Sequence, residues 1–270
     1  KTNIIFATVS KLKTAIRYFN YRLSAKTRYE VHSPFVFSFI NDILRDQRHY
    51  YAFDEIEHLR SNLLADESTI TVEDFGAGSK INKTPVRKVS AIAKNTLITP
   101  KFGQLMFRLA ANFKPTTVLE IGTSLGVSAL YLAKAVPEAQ IVTLEGSKAV
   151  AEIAANQFKT LQSSNVTIIT GEFSQSLPNA LSKLQSVDLA FIDGNHRYAP
   201  TLQYFESLKP YLHDDSVVIF DDIHWSDEMH QAWETIKKDP AVTLSIDLFF
   251  KGIVFFKPGF HAKTNLVLQF

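Results

Sequence analysis

The second half of the chain keeps a strict alternation. From Pro115 onward, short apolar runs are separated by longer stretches with helical periodicity. TVLEI (117–121) reads as a strand and Ser124 to Ala135 as a helix. IVTLE (141–145) is the next strand, followed by a helix from about Lys148 to Leu161. VTIIT (166–170) precedes a helix near Leu177 to Leu184, and VDLAFID (187–193) precedes one from Ala199 to Leu208. SVVIFD (216–221) leads to a helix capped by Ser226 that ends near Pro240. Asp227 and Glu228 stand in its first turn, where the helix dipole favours carboxylates. Strands that are apolar along their whole length are buried on both faces. Alternating with helices, they make a mostly parallel sheet covered on both sides. The expected class is therefore α/β, Rossmann-like and doubly wound.

The last two runs, VTLSIDLF (242–249) and GIVFF (252–256), break the alternation. Only a short Phe-Lys-Gly turn separates them, so an antiparallel hairpin is expected. Five strands and this hairpin give a seven-stranded sheet. A terminal antiparallel hairpin selects the class I methyltransferase form of the doubly wound fold over the all-parallel dehydrogenase form.

Before Pro115 the pattern is helical. Leu12, Ile16, Phe19 and Leu23 share one helix face, among Lys11, Lys13, Arg17 and Arg22. Ser33-Pro34 is a cap and first residue for a helix to about Leu44. Phe53–Leu64, Val86–Ala93 and Phe102–Phe113 read as three more. The expected division is a helical extension or lid over 1–98 and a cofactor-binding domain over 99–270. A lid or a homodimer contact is expected of the basic first helix, rather than an anionic membrane surface. The net charge of +2, from 29 basic and 27 acidic residues, gives no global field for nucleic acid. With no Cys there are no disulfides and no thiolate metal sites, which fits a reducing, cytoplasmic setting. No apolar run reaches the roughly 18 residues of a membrane span, and no secretory leader pattern opens the chain.

Two stretches combine a short strand, an acid and a glycine turn: VEDFGAGSK (72–80) and VLEIGTSLG (118–126). A nucleoside cofactor needs a loop that follows a buried strand, opens a helix, and has an acid closing the next strand to take ribose hydroxyls. The second stretch meets all three conditions. Glu120 stands at its strand end, Gly122 and Gly126 let the backbone approach, and Glu145 closes the next strand 25 residues on. It lacks the third glycine of a dinucleotide fingerprint. An acid just before the loop repels a pyrophosphate and attracts an ammonium, which matches the zwitterionic methionyl end of S-adenosylmethionine. After Gly78 of the first stretch come Lys80, Lys83, Pro85, Arg87 and Lys88, and then helices. It reads as a strand-turn in a lid or edge hairpin, or as a hold on an anionic part of the substrate.

From Thr99 to about Phe256 the chain resembles the class I S-adenosylmethionine-dependent O-methyltransferases. It is most similar to the catechol and caffeoyl-coenzyme A branch and to the antibiotic-sugar relatives. The matching pieces are KFGQ (101–104), VLEIGTSLG (118–126), LEG (144–146), GEFS (171–174), FIDGNH (191–196) and Asp221-Asp222. VHSPFVF (31–37) with VEDFGAGS (72–79) also resembles a Bacteroidetes-type group of unassigned substrate. The resemblance implies the fold, the cofactor and metal dependence. It implies that Glu120, Gly122, Thr123, Ser124 and Gly126 surround the methionyl end. Glu145, with Gly146 and Ser147, holds the ribose; Glu172, Phe173 and Ser174 flank the adenine; and Asp193 lies beside the methyl-transfer centre.

Asp193 ends the fourth strand and Asp221-Asp222 the fifth, strands that are neighbours in this fold. Three carboxylates so placed repel unless a cation or a proton is shared. Oxygen ligands suit Mg²⁺ or another hard divalent cation. Asp221 and Asp222 can face one ion only if the strand ends between them and the backbone turns, since neighbours on a strand point to opposite faces. Where the catechol enzymes carry a Lys three residues after the fourth-strand Asp, this chain has His196, a candidate base near neutral pH. His224 and Trp225 are candidates for the acceptor pocket, Trp225 alternatively for a core staple. Phe249, Phe250, Phe255 and Phe256 are expected in the core. The expectation is metal-assisted O-methylation of a small hydroxylated acceptor. The alternatives are a metal-independent methyltransferase using His196, and a catalytically silent cofactor-binding scaffold.

Overall fold

The computed structural model describes residues 2–73, 85–258 and 263–270, with side chains from residue 13 onward. In chain order the elements are α1 (Thr2–Ser24), α2 (Pro34–Ser38), α3 (Tyr51–Ala65), β1 (Thr69–Thr71), β2 (Val86–Lys88), α4 (Val89–Thr96), α5 (Pro100–Phe113), β3 (Thr117–Ile121), α6 (Val127–Ala135) and β4 (Gln140–Glu145). They continue with α7 (Lys148–Thr160), β5 (Val166–Thr170), α8 (Phe173–Leu184), β6 (Leu189–Ile192), α9 (Tyr198–Leu208), β7 (Val217–Asp221), α10 (Asp227–Ile236), β8 (Leu244–Asp247), β9 (Lys251–Phe255) and β10 (Thr264–Val267). The chain is α/β, as its alternation requires. It divides into two compact units, one of residues 39–190 and one of residues 1–38 with 191–270.

In the 39–190 unit, β3, β4 and β5 run parallel in that order, with Val118 opposite Ile141 and Glu145 opposite Thr170. Val118, Leu119, Ile121, Ile141, Val142 and Leu144 are completely buried. Each contributes about 1.5–3 kcal/mol by leaving water, so the double-sided apolar runs settle strand identity. Helices α3, α5 and α6 share an aromatic core in which Phe53 packs edge-on to Phe107 and also meets Tyr131. The Tyr131 hydroxyl donates to Glu57 Oε1 at 2.6 Å.

Three expectations shift here. The helix after β3 begins at Val127 because Gly126 takes φ +85°. A Cβ on Gly126 would also lie 2.8 Å from Phe158, so the loop needs glycine there. Val86–Lys88 is a strand, pairing antiparallel with Thr69–Thr71, and not the first turn of a helix. The helix from Pro34 passes into a π-helical turn over Phe39–Leu44. The glycine turn of the 72–80 stretch, with Lys80 and Lys83, lies outside the described residues, as do the side chains of Lys11 and Leu12.

In the other unit, β9 lies between β7 and β8, antiparallel to both. The expected hairpin is present, but its connection is Leu248-Phe249-Phe250, and Lys251 is the first residue of β9. A strand absent from the sequence reading, β10, adds parallel to β8. Trp233 of α10 is fully buried against Gly252, where an added Cβ would lie 2.7 Å from the indole ring. Phe249, Phe255 and Phe256 are buried as expected, while Phe250 is exposed. The first helix packs here too. Lys13 and Arg17 pair with Asp227, and Tyr18 and Tyr21 meet the Phe249 ring. Ile16, Phe19 and Leu23 are exposed. Among the described residues no helix is long and apolar enough to cross a membrane.

Candidate active site

The 39–190 unit holds the glycine loop. Gly122 and Thr123 both donate their N–H groups to Leu144 O, at 3.0 and 2.9 Å, which ties the loop to the end of β4. Ser124 takes a left-handed φ of 48° and donates its N–H to Glu145 Oε2 at 2.8 Å. Glu145 Oε1 accepts from Ser147 N at 3.0 Å. The Glu145 carboxylate is thus fixed by two backbone donors and keeps further acceptor capacity for hydroxyls. Gly171, after β5, donates to Glu145 O at 2.9 Å and joins the same rim. Gly146 lies between Glu145 and Ser147, and the latter is the N-cap residue of α7 and is buried.

Glu120 is 0% exposed. Its Oε2 accepts from Thr143 Oγ1 at 2.5 Å, and Thr143 in turn bonds Thr123 Oγ1 at 2.6 Å. Its Oε1 has no hydrogen-bond partner among the described residues. Burial pushes the Glu120 carboxyl up to about 7, against the pull of the Ser128 and Thr143 hydroxyls. An orphaned, buried carboxylate oxygen is costly unless a cationic group meets it. These residues fit the ammonium and ribose of S-adenosylmethionine.

At the start of α8, Glu172 caps the helix by accepting from Ser174 N at 3.2 Å and from Ser174 Oγ. The Ser174 hydroxyl is therefore already engaged, with Phe173 half-buried beside it. Sequence reasoning missed Thr96, whose hydroxyl bonds Ser124 Oγ at 2.6 Å from the end of α4. Nothing in the local sequence announces that contact.

The other unit holds the carboxylates. Asp193 follows β6, and the turn Gly194-Asn195-His196 bends back with positive φ at Asn195 (67°) and His196 (36°), bringing His196 Nε2 to 3.3 Å from Asp193 Oδ1. Non-glycine residues seldom adopt such φ, so the turn is strained. Burial and the charge of Asp221 push Asp193 up to about 8. Burial works against the His196 imidazolium, but Asp193 on its ring nitrogen, aided by Asp222 and Asp221, outweighs it and raises His196 to about 9. Asp222 adopts φ 51°, so the backbone does turn where β7 ends.

Asp221 is nearly buried and accepts Asp222 N at 2.7 Å. The same Oδ1 accepts from Lys251 Nζ. Burial opposes the charge on Asp221, yet Lys251 holds its carboxyl below the usual carboxylate value. Burial, then the Asp221 charge, pushes Asp222 up to about 6. The expected ligand set of Asp193, Asp221 and Asp222 is therefore not the arrangement found. Among the described residues no group of three or more His, Asp or Glu is gathered to hold a metal ion. The donor set around Asp221 suits an ammonium and does not fit a divalent cation.

His224 is buried. Its Nε2 lies 2.7 Å from Asp247 Oδ2 and its Nδ1 3.1 Å from His230 Nδ1, while Trp233 Nε1 donates to the same Asp247 oxygen at 3.2 Å. Trp225 is 63% exposed.

A glycine turn after a buried strand, an acid within that strand and a second acid closing the next one define an α/β protein of the methyltransferase type. In agreement, residues 119–223 match the family model described as a methyltransferase domain. Over those residues the chain is similar to methyltransferase domains. Solved structures share the fold. The O-methyltransferase TomG from Streptomyces achromogenes, in complex with S-adenosylmethionine, is 21% identical over 60% of this chain and 82% of its own, with a TM-score of 0.52. An O-methyltransferase from Bacillus cereus, in complex with S-adenosylhomocysteine, is 19% identical over 82% and 96%, with a TM-score of 0.55. The S-adenosylhomocysteine-bound methyltransferase PaMTH1 from Podospora anserina is 17% identical over 84% and 97%, with a TM-score of 0.57.

Proposed function

We propose that this chain is an S-adenosylmethionine-dependent O-methyltransferase acting on a hydroxyl of a small molecule. The observation that carries this reading is Glu120, buried without exposure at the foot of the glycine loop and with one oxygen unpartnered among the described residues. In this reading Glu120 receives the methionyl ammonium, and Gly122, Thr123, Ser124 and Gly126 shape the turn around that end. Glu145 takes the ribose hydroxyls, with Gly146 and Ser147 holding it in place, and Glu172, Phe173 and Ser174 border the adenine. The bound cofactor supplies a sulfonium methyl group that an oxygen nucleophile can displace. His196, held by Asp193, takes the acceptor's hydroxyl proton through its ring nitrogen. This is the metal-independent form of the reaction. The Mg²⁺-assisted form implied by the family resemblance would require Lys251 to leave Asp221. A lid role for residues 1–98 and a homodimer contact through the exposed Ile16, Phe19 and Leu23 belong to the same proposal.

Calorimetry with S-adenosylhomocysteine and NAD⁺, followed by transfer of labelled methyl to a panel of phenols and sugars, tests it. Binding of the first ligand alone, with label appearing on an oxygen, is the expected result. Protein that ignores S-adenosylhomocysteine ends the reading. Binding without any transfer would favour the silent scaffold.

A further inference from the structure

Lys251 opens β9 directly across the antiparallel ladder from Asp221, the last residue of β7. Its side chain is 5% exposed, its ammonium bonds Asp221 Oδ1, and the same nitrogen lies 5.4 Å from the centroid of the Phe191 ring. A lysine is seldom buried this deeply without a structural demand for its charge. Here a carboxylate and an aromatic face both receive it. The strand that carries it cannot drift, because the next residue, Gly252, is wedged against Trp233. Asp221 is therefore met by an ammonium at a fixed place and not by a side chain sampling solvent.

Asp193, Asp221 and Asp222 face His196 and Lys251. The two monocations do not divide the work evenly, because His196 sits on Asp193 and Lys251 on Asp221.

We propose that Lys251 is a resident cation that takes the place of a divalent ion beside Asp221. Where the chain acts as the O-methyltransferase inferred above, the acceptor is then engaged through a single hydroxyl. A hard divalent ion can chelate two neighbouring oxygens of a vicinal diol by exchanging its waters. An ammonium committed to Asp221 has no such coordination sphere. The acceptor class is a mono-hydroxyl compound, and a catechol or vicinal diol gains nothing from its second oxygen. Lys251 is a positioning residue: it keeps Asp221 ionised and in place, and it excludes the metal.

The test is Mn²⁺ binding by the full chain, read as loss of the free-ion signal in electron paramagnetic resonance after stripping with chelator. Wild type should leave the signal unchanged. Lys251→Ala, which frees Asp221, should bind Mn²⁺, and a second change, Asp221→Asn, should weaken that binding. Lys251→Arg keeps a cation there and should stay silent. If Lys251→Ala does not fold, Lys251→Met preserves the volume and makes the same comparison. Wild type that binds Mn²⁺ and loses it in Asp221→Asn overturns the proposal, and so do folded Ala and Met variants that bind none. S-adenosylhomocysteine calorimetry on the same samples keeps the two questions apart. Its failure removes the methyltransferase reading, while the Mn²⁺ titration still decides the role of Lys251.

Discussion

Replacing Glu120 with Gln should make the stability of the ligand-free chain less dependent on pH. Burial raises the Glu120 carboxyl from 4.5 to about 7, a difference worth roughly 3 kcal/mol. An acid with a raised value holds its proton more tightly folded than unfolded. Its contribution is therefore fully present below pH 4.5 and is lost as pH rises through about 7. Above that, the chain carries an ionised carboxylate whose Oε1 meets no partner among the described residues. Gln keeps the shape and has no proton to lose. Urea unfolding of both proteins at about pH 5 and about pH 8 should show the wild-type stability, relative to Glu120→Gln, falling by roughly 2–3 kcal/mol between the two. Subtracting the variant removes the contributions of every titrating group the two proteins share. Parallel profiles for the two proteins would refute the reasoning, because Glu120 would then ionise like a solvated acid. In the proposed complex the methionyl ammonium supplies the missing partner, so cofactor binding near pH 6 should release a proton, measurable by calorimetry in buffers of different ionisation enthalpy.

Glu145→Ala should weaken S-adenosylhomocysteine binding by about 1.5–3 kcal/mol, the usual worth of hydrogen bonds to a charged group. Titration calorimetry would detect it, and an unchanged Kd would remove Glu145 from the ribose site. Because His196 is raised to about 9, the neutral imidazole needed for proton abstraction accumulates only on the alkaline side. Turnover should climb with pH until about 9, and His196→Gln should abolish that limb and lower kcat by about 10²–10⁴ with cofactor affinity unchanged. A variant with the same pH profile as wild type would show that another group takes the proton.

The parallel strands were legible because burial on both faces leaves a continuous apolar run, as in Val118 to Ile121. Glu120 and Glu145 stood out for the same reason, as acids at the ends of such runs. What escaped notice depends on partners distant in sequence. Lys251 looks like a turn residue in a Phe-Lys-Gly context, and its pairing with Asp221 appears only once β9 is laid beside β7. Strand β10 is four residues long and half polar, so only its ladder with β8 identifies it. Val86–Lys88 carries an apolar residue that suits a helix start, and its pairing with Thr69–Thr71 overrides that preference. The His224 network likewise joins a loop, α10 and the end of β8, which no local pattern encodes.

The ends of the described chain are sewn together. Lys26 N donates to Val267 O, Gln269 N to Lys26 O, and Tyr21 hydroxyl to Leu268 O at 2.6 Å. The unit they close is discontinuous in sequence, whereas residues 39–190 form a continuous one. Synthesis from the N-terminus therefore sets an order of assembly. The continuous unit has all of its chain while the ribosome is still adding the rest, and it can fold first. Tyr21 of α1 is made before the continuous unit and meets its acceptor, Leu268 O, only after that unit is complete. Nascent chains stalled on either side of the emergence of residue 268 should differ in protease resistance over residues 13–38 and much less over residues 85–190. Helix α1 is made before the continuous unit and secured after it.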